Sequence, residues 1–352
     1  MNKKFVNPPP RNISLAKYDA AHKELIEVFS QFTDVAALYD YGTVHNPGIS
    51  DLDIFLILKG DLHSSKAEDY LISEKKFPHT YSLPRGTLMV MNVGDFQGVH
   101  WFDDQIKLSH FFGDKIILQD IDLEMQRQRF FASIIDWLPE RLGALVRLLQ
   151  KSEIDIVFSL RVLRCYCYTL EKLYKLTKGS QYQEFVNRVL DLRNHWNDGR
   201  EKELVELIRG GIVLGCKALL DVSDTILKNE EGAVGELSLY PDLRFHFIDN
   251  AQLLSAQWIL SNLHPSSIVI PVPSTYAPHF SFYSQQPGFL AEQMRRQMNM
   301  SLMLQPKSEL YRKFLAKKIG LATRAGEFLL RNGFKDGLFR FGFYFKNYLN
   351  NF

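Results

Sequence analysis

The chain has 352 residues, of which 46% are hydrophobic and 23% are charged, and its formal net charge is +2 at pH 7. A chain of this size buries a substantial core and is long enough to form two or more domains. Its apolar runs are shorter than the roughly 18 residues that cross a membrane, and its first residues lack the apolar stretch of a signal peptide. We therefore expect a globular cytoplasmic protein and not an integral membrane or secreted one.

The three cysteines, Cys165, Cys167 and Cys216, lie in apolar sequence with helical spacing. An odd number of cysteines in such sequence does not suit a set of disulfides or a zinc site. We expect all three to be core residues of a protein in a reducing compartment.

The first predicted element is a helix that begins near Ser14. Its apolar side chains recur at the spacing of one helix face. The predicted buried face consists of Tyr18, Ala21, Leu25, Val28 and Phe32.

A set of short apolar runs follows this helix and predicts strands. These strands are expected at 35–42, 51–58, 87–93 and 98–102. Between the second and the third strand, Ser65 and Glu68 form a capping-box pattern that predicts a helix ending near Phe77. Strands alternating with helices predict a small mixed sheet covered by helices over residues 1–122.

The middle of the chain has helical spacing in four successive segments, at 122–150, 152–176, 181–196 and 201–227. Short polar breaks separate them, which predicts a bundle of four or five helices. From 232 to 286 the pattern is irregular, with a run rich in proline, serine and aromatic residues, before helical spacing returns.

The predicted fold is therefore of the α+β class: a small mixed sheet with helices, then a helical bundle, then an irregular and basic C-terminal region. The corresponding domains are 1–122, 123–230 and 231–352.

Positive charge is concentrated at the C-terminal end. From Met294 onwards there are twelve lysine and arginine residues and three acidic residues, while the rest of the chain has a net charge of −7. The last fifteen residues contain seven aromatic side chains beside Arg340 and Lys346. This pattern predicts either packing against the protein's own core or contact with an anionic partner, such as a membrane surface or a nucleic acid.

Two carboxylates stand at the start of the second predicted strand, in the sequence Ser50-Asp51-Leu52-Asp53-Ile54. Residues two apart on a strand point to the same side, so Asp51 and Asp53 can direct their carboxylates at one site. Magnesium binds hard oxygen ligands of this kind and holds phosphate oxygens in phosphoryl and nucleotidyl transfer. The pair therefore predicts a magnesium site at the edge of a strand.

A loop that begins with Gly42 and Thr43 precedes the two carboxylates. Glycine lets the backbone come close to a phosphate chain, and the threonine hydroxyl adds a hydrogen bond. The loop therefore predicts a phosphate-binding element beside the metal site.

The joint pattern of strand, Gly-Thr, loop, Ser-Asp-x-Asp and buried strand resembles the signature of the DNA polymerase β-like nucleotidyltransferase superfamily. The resemblance covers residues 35–122. The helical segments that follow are similar to those of the small-molecule nucleotidyltransferases of the antibiotic-modifying type. The resemblance implies that Gly42, Thr43 and Ser50 bind the triphosphate and that Asp51 and Asp53 coordinate Mg²⁺.

The family also places a third carboxylate on a later strand, where it binds metal and acts as base. The predicted strands at 87–93 and 98–102 offer only Asn92 and His100 at this place. The candidate for the role is therefore Asp95 at an expected strand end, with Asp103 and Asp104 as the other acids nearby. Three features depart from the family pattern: Thr43 stands where serine is usual, His45 or Asn46 lies where the family often has arginine, and the later strands lack the third carboxylate.

The predicted function is a Mg²⁺-dependent transferase that moves a nucleoside monophosphate from a nucleoside triphosphate, such as ATP, to a small-molecule or sugar-type acceptor and releases pyrophosphate. A nucleic-acid acceptor is less favoured. The alternative is a catalytically degenerate protein of the same fold that binds a nucleotide or a partner.

Overall fold

The structure is a computed structural model of the chain. It describes residues 3–10, 12–60, 70, 73–84, 86–101, 107–196, 199–240, 242–249, 255–261, 267–300, 304–331 and 347–348.

Strands and helices are numbered separately in chain order. The strands are β1 Lys4–Val6, β2 Val35–Tyr41, β3 Asp53–Leu58, β4 Thr87–Asn92, β5 Leu108–Gly113, β6 Glu153–Asp155, β7 Gly235–Tyr240, β8 Leu243–Ile248, β9 Ile268–Pro273, β10 Met298–Met300 and β11 Asn347–Tyr348. The helices are α1 Leu15–Phe29, α2 Pro78–Tyr81, α3 Val93–Gln97, α4 Leu123–Gln150, α5 Ile156–Thr177, α6 Ser180–Asn194, α7 Glu201–Thr225, α8 Ala256–Ser261, α9 Ala277–Gln285, α10 Phe289–Gln297 and α11 Glu309–Arg331.

The chain divides into two compact units. Unit 1 comprises Met1–Pro9 and Glu124–Ile319, and unit 2 comprises Pro10–Leu123 and Gly320–Phe352. The division into three domains made from the sequence stays a prediction. The α+β class is confirmed, because both units combine helices with mixed sheets.

Unit 2 is built on a sheet with the strand order β11-β4-β3-β2-β5. β3 runs parallel to β4 and antiparallel to β2, and β5 pairs with the other edge of β2 in antiparallel orientation. The predicted strands at 35–42, 51–58 and 87–93 are confirmed within two residues as β2, β3 and β4. β5 has no counterpart in the sequence prediction.

Two predictions for unit 2 need correction. The predicted strand at 98–102 is wrong, because Val99–Trp101 forms a turn of 3₁₀ helix whose apolar side chains are buried. The predicted helix from Ser65 begins outside the described residues, and residues 73–77, which should continue it, form turns.

The predicted buried face of α1 is largely confirmed. Tyr18, Ala21 and Leu25 are buried as expected, and Phe29 completes the face at the end of the helix. The predicted member Phe32 lies beyond the helix, because the last turn closes at Ser30.

Unit 1 contains the long helices α4, α5, α6 and α7, which confirm the four predicted helical segments. Close packing in this group depends on Gly211 and Gly215 of α7. A Cβ atom at these positions would lie 2.8 Å from Leu145 and 2.9 Å from Leu142, respectively.

The predicted irregular region is wrong for residues 235–273, which supply three strands of a second sheet with the order β10-β7-β8-β9. β8 shows the alternation of a half-buried strand, with Phe245 and Phe247 buried and Arg244 exposed. In β9 the sequence contains Pro271 and Pro273, which are unfavourable in strands, and for this reason a strand was not predicted there. They fit because β9 is an edge strand, where a residue without an N–H is tolerated.

The cysteine prediction holds for two residues. Cys167 and Cys216 are buried, and burial raises the pKa of each thiol to about 12. The prediction is wrong for Cys165, which is exposed on α5.

The core of unit 1 contains a buried group of polar side chains, named the Asp136 cluster. It consists of Asp136 from α4, His279 and Tyr283 from α9, and Tyr311 and Lys318 from α11. Nε2 of His279 donates to Asp136 at 2.7 Å, and both the Tyr283 hydroxyl and the Lys318 ammonium donate to the other carboxylate oxygen. Nδ1 of His279 lies 2.9 Å from the Tyr311 hydroxyl. The cluster therefore ties three helices together with charge-assisted hydrogen bonds.

In the part of the chain that the structure describes, no helix combines the length and apolar character needed to span a membrane.

Candidate functional site

The two predicted metal ligands lie where the chain enters β3. Leu52 and Ile54 are buried, with 4% and 2% of their surface exposed, whereas Asp51 and Asp53 between and before them are partly exposed. This alternation places the two carboxylates on the same, accessible side of the chain. Asp53 pairs with Tyr41 at the end of β2.

The segment between β2 and β3, residues 42–52, is named the site loop. Its second half is closed by hydrogen bonds between Asn46 and Ser50: the Ser50 N–H donates to the Asn46 carbonyl at 2.7 Å, and the Asn46 N–H donates to the Ser50 hydroxyl at 3.1 Å. Ser50 is also buried. These contacts give Ser50 a structural role in the loop and argue against direct contact with a nucleotide.

Tyr18 of α1 holds the same part of the loop. Its hydroxyl donates to the Ser50 carbonyl at 2.6 Å and accepts from the Gly48 N–H at 3.3 Å. Gly48 has a positive φ of 85° and a Cβ atom there would lie 2.9 Å from the Pro10 carbonyl oxygen, so glycine is required. The loop therefore has a defined conformation up to the first carboxylate.

Gly86 immediately precedes β4 and packs against the backbone of Leu52, the residue between the two carboxylates. A Cβ atom at Gly86 would lie 1.7 Å from the Leu52 carbonyl oxygen. Any larger residue at position 86 would therefore displace the backbone of Leu52 and move its two acidic neighbours.

Gly42 and Thr43 open the site loop. Gly42 has a φ of 95°, and no described atom lies within 4 Å of the place that a Cβ would occupy. Its N–H donates to the Lys107 carbonyl at 2.8 Å, so this donor is already used within the protein. The Thr43 hydroxyl is exposed and lies 2.6 Å from Nε2 of His45.

Asp95, the predicted third carboxylate, has a structural environment. It is buried in α3, and its carboxylate accepts hydrogen bonds from Arg324 at 2.8 Å and from Asn92 at 3.3 Å. The Asp95 N–H in turn donates to the Asn92 side chain, which caps α3. These contacts argue against Asp95 as a base or a magnesium ligand.

The pairing of β3 with β4 explains why Asp95 lies far from Asp53. In the parallel pair of β3 and β4, Leu58 lies level with Asn92, so α3 starts beside the end of β3 that is far from Asp53. The intervening stretch of β3 spans about 16 Å, at 3.3 Å per residue. The residues level with Asp53 on the other side are Tyr41 and then Leu108.

No group of three or more histidine, cysteine, aspartate or glutamate side chains among the described residues could hold a metal ion. The alternation of burial puts Asp51 and Asp53 on the same side of the chain, and Asp95 lies apart from them. The other two acids considered, Asp103 and Asp104, lie outside the described residues.

Sequence reasoning missed the two residues that shape the site, Tyr18 and Gly86. The signal for Tyr18 was its place on a buried helix face, because a buried tyrosine hydroxyl needs a hydrogen-bond partner. Gly86 carried no comparable signal, because its requirement arises from contact with a distant segment.

Comparisons with protein-family models, with curated proteins and with solved structures found no match to this chain.

Proposed function

We propose that unit 2 is a nucleotidyltransferase domain that binds a nucleoside triphosphate and a magnesium ion at the site loop. The observation that carries the proposal is the alternation at the start of β3, where Asp51 and Asp53 are accessible and Leu52 and Ile54 are buried. The rigid support of this segment by Tyr18 and Gly86 adds to it, because metal ligands must be held in place before the ligand binds.

The two carboxylates fit a magnesium ion that arrives with its nucleotide. Magnesium in phosphate-transferring sites is commonly held by one or two carboxylates, with phosphate oxygens and water completing the shell. Asp51 and Asp53 would hold the ion, whose charge would stabilise the negative charge that builds up on the phosphate oxygens. The exposed Thr43 hydroxyl is a donor for the triphosphate on the same loop.

The proposed reaction is the transfer of a nucleoside monophosphate. An acceptor oxygen forms a bond to the α-phosphorus, the bond from that phosphorus to the bridging oxygen breaks, and pyrophosphate leaves with the electron pair. A hydroxyl acceptor also has to lose its proton to a base, whereas a phosphate acceptor reacts as the anion. A small-molecule or sugar-type acceptor remains the proposal, with nucleic acid less favoured.

A second candidate function is nucleotide binding without transfer. The engagement of Asp95 by Arg324 and Asn92 favours it, because it removes the carboxylate that the family uses as a base. This protein would act as a nucleotide-dependent binding module.

The test uses the full chain with each of the four nucleoside triphosphates labelled at the α-phosphate, Mg²⁺ and a small-molecule cell extract as the source of acceptors. We expect label to move to an extract component and pyrophosphate to be released. Asp51→Asn and Asp53→Asn should each lower the rate at least about 100-fold, because metal stabilisation of the transition state is worth several kcal/mol.

The matched control is Asp19→Asn, which makes the same change of charge at an exposed position of α1. It should leave the transfer rate unchanged. A nucleotide-dependent rise in the melting temperature without transfer would favour the binding module. If no nucleotide gives transfer and none raises the melting temperature, both functions are contradicted.

A further inference from the structure

The site loop has little positive charge of its own. Between Gly42 and Asp51 the sequence contains no lysine and no arginine, and His45 is the one side chain there that can become a cation. A triphosphate remains anionic when it carries a magnesium ion, and proteins usually bind phosphate groups through cationic side chains or N–H donors. His45 is therefore the side chain of the loop suited to a phosphate group.

The structure joins His45 to the proposed phosphate-binding hydroxyl. Both His45 and Thr43 are exposed, and Nε2 of the imidazole lies 2.6 Å from the threonine oxygen. When Nε2 carries no proton, the hydroxyl must donate its hydrogen to the ring. When Nε2 carries a proton, it donates to the hydroxyl oxygen, and the hydroxyl hydrogen can be donated to an anion; only the doubly protonated ring holds this arrangement in every state and adds a positive charge beside the anion.

We propose that His45 makes triphosphate binding at the site loop depend on pH. The protonated imidazole and the Thr43 hydroxyl that it orients bind the phosphate chain together, and binding weakens as the imidazole loses its proton. The inference rests on the proposed function, because it requires a triphosphate at this loop.

The other charged and titratable groups around the loop do not replace His45 in this role. The elements next to the loop carry Tyr18 and His22 on α1, Asp40 and Tyr41 on β2, Lys107 ahead of β5 and His110 on β5, and the loop leads into Asp51 and Asp53. His22 lies 2.7 Å from the Asp40 carboxylate, and the His110 ring packs against Tyr39 with the centroids 5.0 Å apart, so both of these histidines have partners outside the loop. Tyrosine, lysine and carboxyl groups ordinarily titrate outside the range from pH 5 to 8, whereas histidine titrates within it.

The experiment measures equilibrium binding to the full chain at several pH values between 5.5 and 8.5. The probes are magnesium tripolyphosphate and the magnesium complexes of the α,β-methylene analogues of the four nucleoside triphosphates, which cannot undergo transfer. The variants are His45→Gln, which cannot become a cation, and His45→Arg, which is always one. The control is His79→Gln, a change of the same kind at an exposed position of α2.

For the wild type and for His79→Gln we expect binding at pH 6 to be about tenfold tighter than at pH 8, because the charge-assisted contact with the phosphate is lost together with the proton. His45→Gln should bind weakly, and His45→Arg tightly, with little change across the range. Protonation of the phosphates themselves affects all proteins equally, so the difference between variants reports His45.

If the wild type binds the probes and His45→Gln retains the same pH dependence, the inference is wrong while the proposed nucleotide site stands. If neither the wild type nor His45→Arg binds any probe at any pH, the proposed nucleotide site is wrong, and the inference is wrong with it. His45 is exposed, so the melting temperatures of the ligand-free variants should match the wild type and show that they are folded.

Discussion

Asp53 in unit 2 and Asp136 in unit 1 are both carboxylates on regular secondary structure, but their surroundings differ. Asp53 is partly exposed at the first position of β3, beside a second carboxylate two residues earlier. Asp136 is completely buried in the middle of α4 and accepts hydrogen bonds from His279, Tyr283 and Lys318. One arrangement leaves two carboxylates partly exposed to solvent, and the other encloses a carboxylate together with the Lys318 ammonium.

The two environments have different consequences for stability and for binding. A buried carboxylate surrounded by protein donors stabilises the fold only as long as every partner remains, because an unpaired buried charge is costly. Two partly exposed carboxylates on the same side of a strand can both reach a cation that arrives from solution. The arrangement in unit 2 therefore favours ligand binding, and that in unit 1 favours stability.

The largest expected effect is the loss of stability on replacing Asp136 with alanine. Removing one partner of a buried ion pair leaves Lys318 uncompensated, which should lower the free energy of unfolding by about 3–5 kcal/mol. Asp53→Ala should lower it by about 1 kcal/mol or less, because the side chain is partly exposed. Urea denaturation of the full chain measures both values.

A double variant, Asp136→Leu with Lys318→Met, separates loss of the pair from loss of a single partner. Replacing both charges with apolar side chains of similar size should recover part of the stability that Asp136→Ala loses, because Lys318 no longer leaves a buried charge, although His279 and Tyr283 still lose their acceptor. Equal losses for Asp136→Ala and Asp53→Ala would contradict the contrast between the two carboxylates.

The second prediction concerns Gly86→Ala, which tests how firmly the accessible carboxylates are held. The added methyl group would collide with the Leu52 carbonyl, so the free energy of unfolding should fall by about 1–3 kcal/mol, and nucleotide binding should weaken. Gly60→Ala is the control, because no described atom lies within 4 Å of a Cβ at that position. Similar denaturation midpoints for the two variants would show that Gly86 does not constrain the site.

The strand that carries Asp53 can be predicted from the sequence, because the pattern that indicates it lies within a short stretch of the chain. Strand alternation at Asp51 and Asp53 and the apolar strand after them can be recognised within a dozen residues. The supports of the same site could not be predicted, because Tyr18 and Gly86 lie thirty or more residues away from the backbone atoms that they contact.

The Asp136 cluster could not be predicted at all. Its members come from three helices, and Asp136 and His279 are separated by more than 140 residues in the sequence. The surroundings of Asp95 could not be predicted for a related reason: they depend on the parallel pairing of β4 with β3, which puts the end of β4 far from Asp53. Pairing of distant segments, not local pattern, decides both cases.

The third prediction uses acid to examine the enclosed carboxylate. Burial by itself raises the pKa of Asp136, but the charges of Lys318 and His279 and the hydrogen bonds they donate outweigh it, so the pKa lies below its ordinary value. A carboxyl whose pKa is lowered by folding stabilises the protein above the pKa of the unfolded chain, and this stability is lost as the pH falls through the folded pKa.

The free energy of unfolding should therefore decline below about pH 4, with a contribution from this group of up to about 1.4 kcal/mol per pH unit. The double variant Asp136→Leu with Lys318→Met should lack this part of the decline. Urea denaturation at a series of pH values measures it, and identical slopes for the two proteins would show that Asp136 does not contribute.

The smallest change in stability is predicted for the ion pair of Asp95. The surroundings of this carboxylate are intermediate between those of the partly exposed Asp53 and the fully buried Asp136. Its side chain is buried but its partner Arg324 is 55% exposed, so the ion pair is screened by solvent on one side. Arg324→Gln should therefore lower the free energy of unfolding by about 1 kcal/mol or less. Asp95→Asn should retain nucleotidyl transfer, because the contacts of this carboxylate are structural, whereas Asp53→Asn should abolish it. Loss of transfer in Asp95→Asn, with stability and nucleotide binding intact, would show that a buried, salt-bridged acid takes part in the reaction and that burial alone does not separate structural from functional carboxylates in this protein.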